Sequence, residues 1–312
     1  MKWPLLKRFC QVSLLCAGFL ACAALYLYTK DYTEYFRERK GTLVYQDIQN
    51  ANGDSLSDKS YITLRSSTGL AVTCGMLAPK QKGKRYPAVV LIGGNAAGKH
   101  AIEYAVDVRD VVLVAPDYPY AFRKRYPLLQ LIRDVPTIRL ALLDMVPSVM
   151  LVIDYLWRRS DVDTTRLVLL GYSFGAPLVP PIHTRDGRAA VAVMVYGGGN
   201  LQSLITHNVR RYEGPVVGRC VGILGWILLR PLEPMECVDR VAPTPLIMIN
   251  GLDDEQIPRE NAEMLYNRAE QPKKIIWLES QHVRPTNVQL TRTIVQRLTE
   301  ELLRRDILRP PL

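Results

Sequence analysis

Six short segments of this chain are apolar with almost no polar alternation: AVVLIGG (88–94), DVVLVAPDY (110–118), RLVLLGY (166–172), AVAVMVYGG (190–198), PLIMING (245–251) and KKIIWLE (273–279). A strand that buries one face alternates apolar and polar residues; a strand buried on both faces does not. Helical patterns lie between them. Residues 144–158 place Val149, Val152, Ile153 and Leu156 at helical spacing, and the last helix repeats Leu290, Ile294, Leu298 and Leu302 after a capping box of Thr286 and Gln289. Strands alternating with helices imply a mostly parallel central sheet with helices on both faces. Ahead of it, YITLRS (61–66) and LAVTCGMLA (70–78) flank an STG turn and read as a hairpin.

With 312 residues, 48% of them hydrophobic, the chain can build one large core. Its net charge of +10 suits an anionic membrane or anionic substrates, or is an ordinary solvated surface. The basic residues are scattered, with no aromatic-basic motif, which argues against nucleic acid as a partner. Residues 9–28, FCQVSLLCAGFLACAALYLY, carry no charge and match one bilayer crossing; Lys2, Lys7 and Arg8 precede them. The favoured reading is an uncleaved single-pass signal anchor over 1–29, with the folded domain on the extracytoplasmic side. A cleaved signal peptide, with ACA at 21–23 as its cleavage site, and a lipoprotein signal ending at Cys22 are the alternatives. Residues 30–58 are charged, then polar, and read as a stalk or linker to a domain over 59–312. Of the six cysteines, Cys74, Cys220 and Cys237 lie beyond the apolar run; they imply no disulfide framework and no metal spacing.

The segment RLVLLGYSFGAP runs from a strand into a serine held between two glycines. A sharp strand-to-helix turn needs room on either side, which Gly171 and Gly175 supply, so that Ser173 projects at the carboxyl end of the sheet. A serine hydroxyl needs a base and a carboxylate to become a nucleophile. The candidate bases are His100, His183, His207 and His282. His183 lies beyond Pro180 and Pro181, where the helix after Ser173 is expected to stop. His282 follows the last strand, at the same end of the sheet as Ser173. The carboxylate belongs between them, in INGLDDEQIP (249–258), which offers Asp253, Asp254 and Glu255.

With its G-x-S-x-G turn, the phrase G-x-x-D-x-x-I-P (Gly251, Asp254, Ile257, Pro258) and the loop QHVRP around His282, residues 60–308 resemble the α/β-hydrolase superfamily, in its serine esterase-like and peptidase-like branches. Dienelactone hydrolases share the general pattern but use cysteine at the nucleophile. The resemblance implies Ser173 as nucleophile, His282 as base and Asp254 as the orienting acid, with Asp253 as the nearest rival. It implies that the amides of Asn95 and Phe174 hold the oxyanion. The family's usual His-Gly-x is replaced here by Gly93-Gly94-Asn95, which leaves the register open by one residue. It further implies a lid at about 199–244, between strands 6 and 7. The apolar stretch 216–229 within that lid is a buried helix, an acyl-pocket wall or an interfacial segment; as a wall it would present Leu224 and Trp226. The implied activity is hydrolysis of a small-molecule carboxylic ester through an acyl-enzyme, with no metal and no organic cofactor. A thioesterase or acylaminoacyl-type peptidase, and a membrane-tethered binding protein without turnover, are the rival readings. The oligomeric state is left open.

Overall fold

The computed structural model describes residues 18, 22, 25–27, 29–54, 56–104, 109–123, 128–284 and 286–309. Most of the anchor expected over 1–29 lies outside the described residues; those of it that are described from Gly18 to Thr29 are helical.

Nine strands form one sheet in the order β1-β2-β3-β5-β4-β6-β7-β8-β9. They are β1 (Leu43–Ala51), β2 (Ser57–Ser66), β3 (Ala71–Pro79), β4 (Tyr86–Ile92), β5 (Val112–Pro116), β6 (Val162–Tyr172), β7 (Val191–Val195), β8 (Leu246–Gly251) and β9 (Lys273–Leu278). The hairpin β2–β3 and its neighbours β1 and β5 pair antiparallel, and β5-β4-β6-β7-β8-β9 pair parallel. The parallel part matches the six apolar segments because both its faces are covered. Along β4 the alternation is plain: Ala88, Val90 and Ile92 enter one core layer, Val89 and Leu91 the other.

The first layer is packed by α1 (Thr33–Lys40), the long α2 (Leu128–Trp157), α3 (Val179–Asp186) and α6 (Arg259–Arg268). The second is packed by a short 3-10 segment, Gly98–Tyr104, and by α7 (Val288–Leu303). Helix α7 starts one residue later than the sequence suggested. Asn287 is its cap, its side chain accepting from the Leu290 N–H at 3.0 Å, in place of Thr286.

The linker expected at 30–58 is instead part of the folded domain. Phe36 of α1 is fully buried, Tyr32 nearly so, and β1 forms the sheet edge. Arg39 and Lys40 pair with Asp144 and Asp154 of α2. The many charges that made this segment read as a stalk serve as ion pairs and as the solvent-facing side of an edge strand.

The insertion at 199–244 lies between β7 and β8, since β1 adds one strand to the count. It forms a helical hairpin, α4 (Leu201–Glu213) and α5 (Pro215–Leu229), followed by short 3-10 turns. Buried Glu233 accepts the N–H groups of Asn200, Leu201 and Met235, which closes the hairpin's base. Gly222 lets α5 approach α4: a methyl group there would stand 2.9 Å from the Gln202 carbonyl oxygen.

Candidate active site

β6 ends at Tyr172 and the chain turns at once into a 3-10 segment, Ser173–Leu178, and then α3. Pro180 and Pro181 do not cut a helix short here. They sit in the first turn of α3, where proline's missing N–H costs nothing. His183 therefore lies within α3, and it is buried. Burial pushes its imidazole below the ordinary histidine range. His100 is exposed and faces Tyr61 and Glu103.

Ser173 has φ = 53°, a left-handed conformation that is sparsely populated for a residue with a side chain. It aims the hydroxyl at His282, with 2.7 Å between Oγ and Nε2. On the other side of the ring, Nδ1 lies 2.9 Å and 2.8 Å from the two carboxylate oxygens of Asp254. A carboxylate only accepts, so Nδ1 carries the proton and Nε2 is left to accept from the serine hydroxyl. The His282 and Asp254 side chains are 4% and 0% exposed, so this relay is shielded from water. Asp254 is fixed in turn by the N–H groups of Gln256 and Ile257, which donate to Oδ1 at 2.7 and 2.9 Å. Asp253 is exposed and makes no side-chain contact with His282 among the described residues.

Three groups take supporting roles that were not foreseen from the sequence, although Glu255 was named there as a candidate carboxylate and His207 as a candidate base. Glu255 accepts the backbone N–H of His282 at 3.0 Å and pairs with Arg284 at 3.1 Å. Burial opposes its charge, but these donors prevail and lower its carboxyl to about 2. Tyr196, fully buried at the end of β7, sets its ring edge-on to His282 with centroids 5.6 Å apart and hydrogen-bonds Ser280. Burial, above all, raises its phenol above the ordinary tyrosine range. Helix α4 grips the acid loop: His207 and Arg211 bond the Glu255 carbonyl at 3.0 and 2.6 Å, and Asn208 donates to the Gln256 carbonyl at 2.8 Å. His207, Asn208 and Arg211 fall on one helical face at i, i+1 and i+4, a spacing visible in the sequence only once the acid loop's position is known.

The Glu255 shift carries a pH dependence. Its carboxyl is depressed in the folded state, so its contribution is present above the unfolded value, about 4.3, and is lost as pH falls toward 2. Glu255→Gln is expected to lower stability at neutral pH, with the gap to the native protein closing across that window. Denaturant midpoints measured between pH 6 and pH 2.5 check this; a constant gap would remove the ionic part of the argument.

Asn95 lies in the loop after β4, beside Gly94, whose carbonyl accepts from the Ala97 and Gly98 N–H groups. Phe174 follows Ser173 and packs its ring against Tyr118 and Phe122, with centroids 5.7 and 5.2 Å away. A cavity of about 320 Å³ is lined by Ser173, His282, Gly94 and Asn95 among others. Leu224 and Trp226 do not line it, contrary to the sequence expectation. Helix α5 is bound at its carboxyl end to α2, Arg139 donating to the Leu228 carbonyl at 2.9 Å, and Leu224 is half exposed to solvent.

The chain has the α/β-hydrolase fold, with the strand order and the strand-to-serine turn of that architecture. It is similar to an acetyl xylan esterase from Paenibacillus sp. R4, with a TM-score of 0.63, 15% identity, and 87% of this chain and 98% of that one covered. Acetyl xylan esterase 1 from Thermoanaerobacterium sp. JW/SL YS485 is similar with a TM-score of 0.60, 15% identity, and coverage of 86% and 93%. In sequence, 126 residues are 27% identical to the uncharacterized protein YfhR of Escherichia coli K12; this match spans 40% of the chain and 41% of that relative. No family model matches.

Proposed function

We propose that this protein hydrolyses carboxylic esters by a serine mechanism. The observation that carries the reading is the Ser173–His282–Asp254 relay, its histidine and aspartate buried and its serine lining a cavity large enough for a small ligand. Ser173 Oγ attacks the acyl carbon as its proton passes to Nε2 of His282. The imidazolium, held by Asp254, returns that proton to the leaving alkoxide. Water, deprotonated by the same nitrogen, then releases the acid from the acyl-enzyme. The amides of Phe174 and Asn95 are the donors assigned to the oxyanion. The esterases of similar fold support an ester over other acyl bonds. A fluorophosphonate probe tests the reading, because it reacts only with an activated serine: labelling should occur and should vanish in Ser173→Ala. An unlabelled native protein would overturn it.

A membrane anchor is part of the same proposal. The chain that follows the uncharged run at 9–28 enters the fold at Tyr32, whose hydroxyl accepts from Arg139 at 2.6 Å; Arg139 also binds the end of α5. Helix α5 exposes Val216, Val217, Ile223 and Leu224 on one side. The bilayer proposed for the run would therefore lie near this apolar face, with the domain on the extracytoplasmic side and the α4–α5 hairpin as its lid. Deleting residues 1–29 is expected to move the protein from the membrane fraction to a salt-sensitive or soluble one. If the truncated protein stayed in membranes resistant to salt, the run would not be the anchor.

A further inference from the structure

Along β4 and at the end of β6, the two faces of the sheet are not covered equally well. On the α2 side, Val90 and Ile92 are 0% exposed and Leu169 1%. On the α7 side, their neighbours Val89 and Leu91 are 8% exposed and Leu170 9%. The 3-10 segment Gly98–Tyr104 packs over β3 and β5, and α7 places Ile294 and Leu302 in the core layer of Val89, Leu91 and Leu170. Between them stays the chamber that opens at Ser173. Its walls are Val89, Leu91 and Leu170 of the sheet and Ile294, Leu298 and Leu302 of α7. Along β4 it extends from Gly93 back to Val89, roughly 13 Å of strand at about 3.3 Å per residue.

We propose that this chamber, between the sheet and α7, holds the acyl chain of the substrate. The proposal rests on the serine-esterase reading above and adds where the chain goes and what kind of acid is released. The preferred substrate is an ester of a straight, medium-length fatty acid. When Ser173 Oγ bonds the acyl carbon and the alcohol leaves with the proton from His282, the chain remains beneath α7. Water then splits the Ser173 ester to the free acid and restores the hydroxyl. The lining is mostly apolar, its polar groups being Asn95, Gln256 and Arg284 and the hydroxyls of Tyr172, Thr291 and Thr299, which suits an alkyl chain better than a sugar or a peptide. The α4–α5 hairpin, whose α4 holds the acid loop, then bears on the leaving group and not on the acyl chain.

The test uses the full chain with 4-nitrophenyl esters from acetyl to dodecanoyl. The value of kcat/KM should rise about fourfold per methylene until the chamber is filled, then level or fall. Leu298→Trp should fill the chamber and reduce the ratio of octanoyl to acetyl turnover at least tenfold. Because α7 also packs the core, alkyl fluorophosphonates of increasing length on the native protein provide a second reading, and their labelling rates should follow the same profile. A flat or falling profile with good labelling overturns the chamber while leaving the serine mechanism intact. A rising profile abolished by Trp226→Asp but not by Leu298→Trp places the chain under the α4–α5 hairpin and also overturns it. Absence of any labelling removes the serine reading on which both stand.

Discussion

Ser173→Ala is expected to lower ester turnover by three to six orders of magnitude, with the thermal midpoint almost unchanged. The substitution deletes only Oγ and its 2.7 Å bond to His282; alanine carries the same backbone strain at φ = 53° as serine does. Asp254→Asn is the sharper experiment. Its Oδ1 can still accept from the Gln256 and Ile257 amides, so the loop keeps its shape. Its NH2, however, now faces Nδ1 of His282 and can only donate. The imidazole must place its proton on Nε2, which then points a donor at the serine and cannot take its proton. A loss on the order of 10⁴ in kcat follows, from the wrong tautomer alone. Asp253→Asn, on the exposed neighbour, should leave kcat within a factor of two or so. A large loss at Asp253 and a small one at Asp254 would exchange their roles.

How much of this was legible beforehand depends on the range of the forces involved. The parallel sheet was legible because burial on both faces leaves an unbroken apolar run in each strand, and the serine turn because sterics demand glycine at Gly171 and Gly175. The positions of Asp254 and His282 were given by a resemblance in local phrases; the structure brings His282 to Ser173 and Asp254 to the far side of the His282 ring. What could not be read was set by contacts between distant segments. The charges of 30–58 looked like solvated linker until Arg39 and Lys40 met Asp144 and Asp154 across more than a hundred residues. Pro180 and Pro181 read as a stop because proline breaks helix interiors; the 3-10 turn before them shifted the start, and the same residues begin α3. Leu224 and Trp226 have the right chemistry for an acyl wall, but hydrophobic periodicity does not say which surface a helix face meets. The gap under α7 left no mark at all, since it consists of core residues that lack a neighbour.

Gly175→Ala is expected to disable the protein more thoroughly than its single methyl group suggests. A Cβ at Gly175 would stand 2.2 Å from the Ile92 carbonyl oxygen and 2.8 Å from its carbonyl carbon. That backbone belongs to β4, a central strand paired on both sides, so it cannot yield as a side-chain tip would. The serine turn must lift off the sheet instead. Overpacking against fixed atoms costs about 1–3 kcal/mol or more, and the thermal midpoint should fall by roughly 2–5 °C or more. The lift also moves Ser173 relative to His282, and a displacement of about 1 Å is worth on the order of 10²-fold in rate. Gly187→Ala separates sterics from backbone conformation. Gly187 has φ = 73° but nothing within 4 Å of its would-be Cβ, so it should cost about 1 kcal/mol and leave kcat alone. If Gly175→Ala behaved like Gly187→Ala, the close approach of the serine turn to β4 would not be what holds the nucleophile in place.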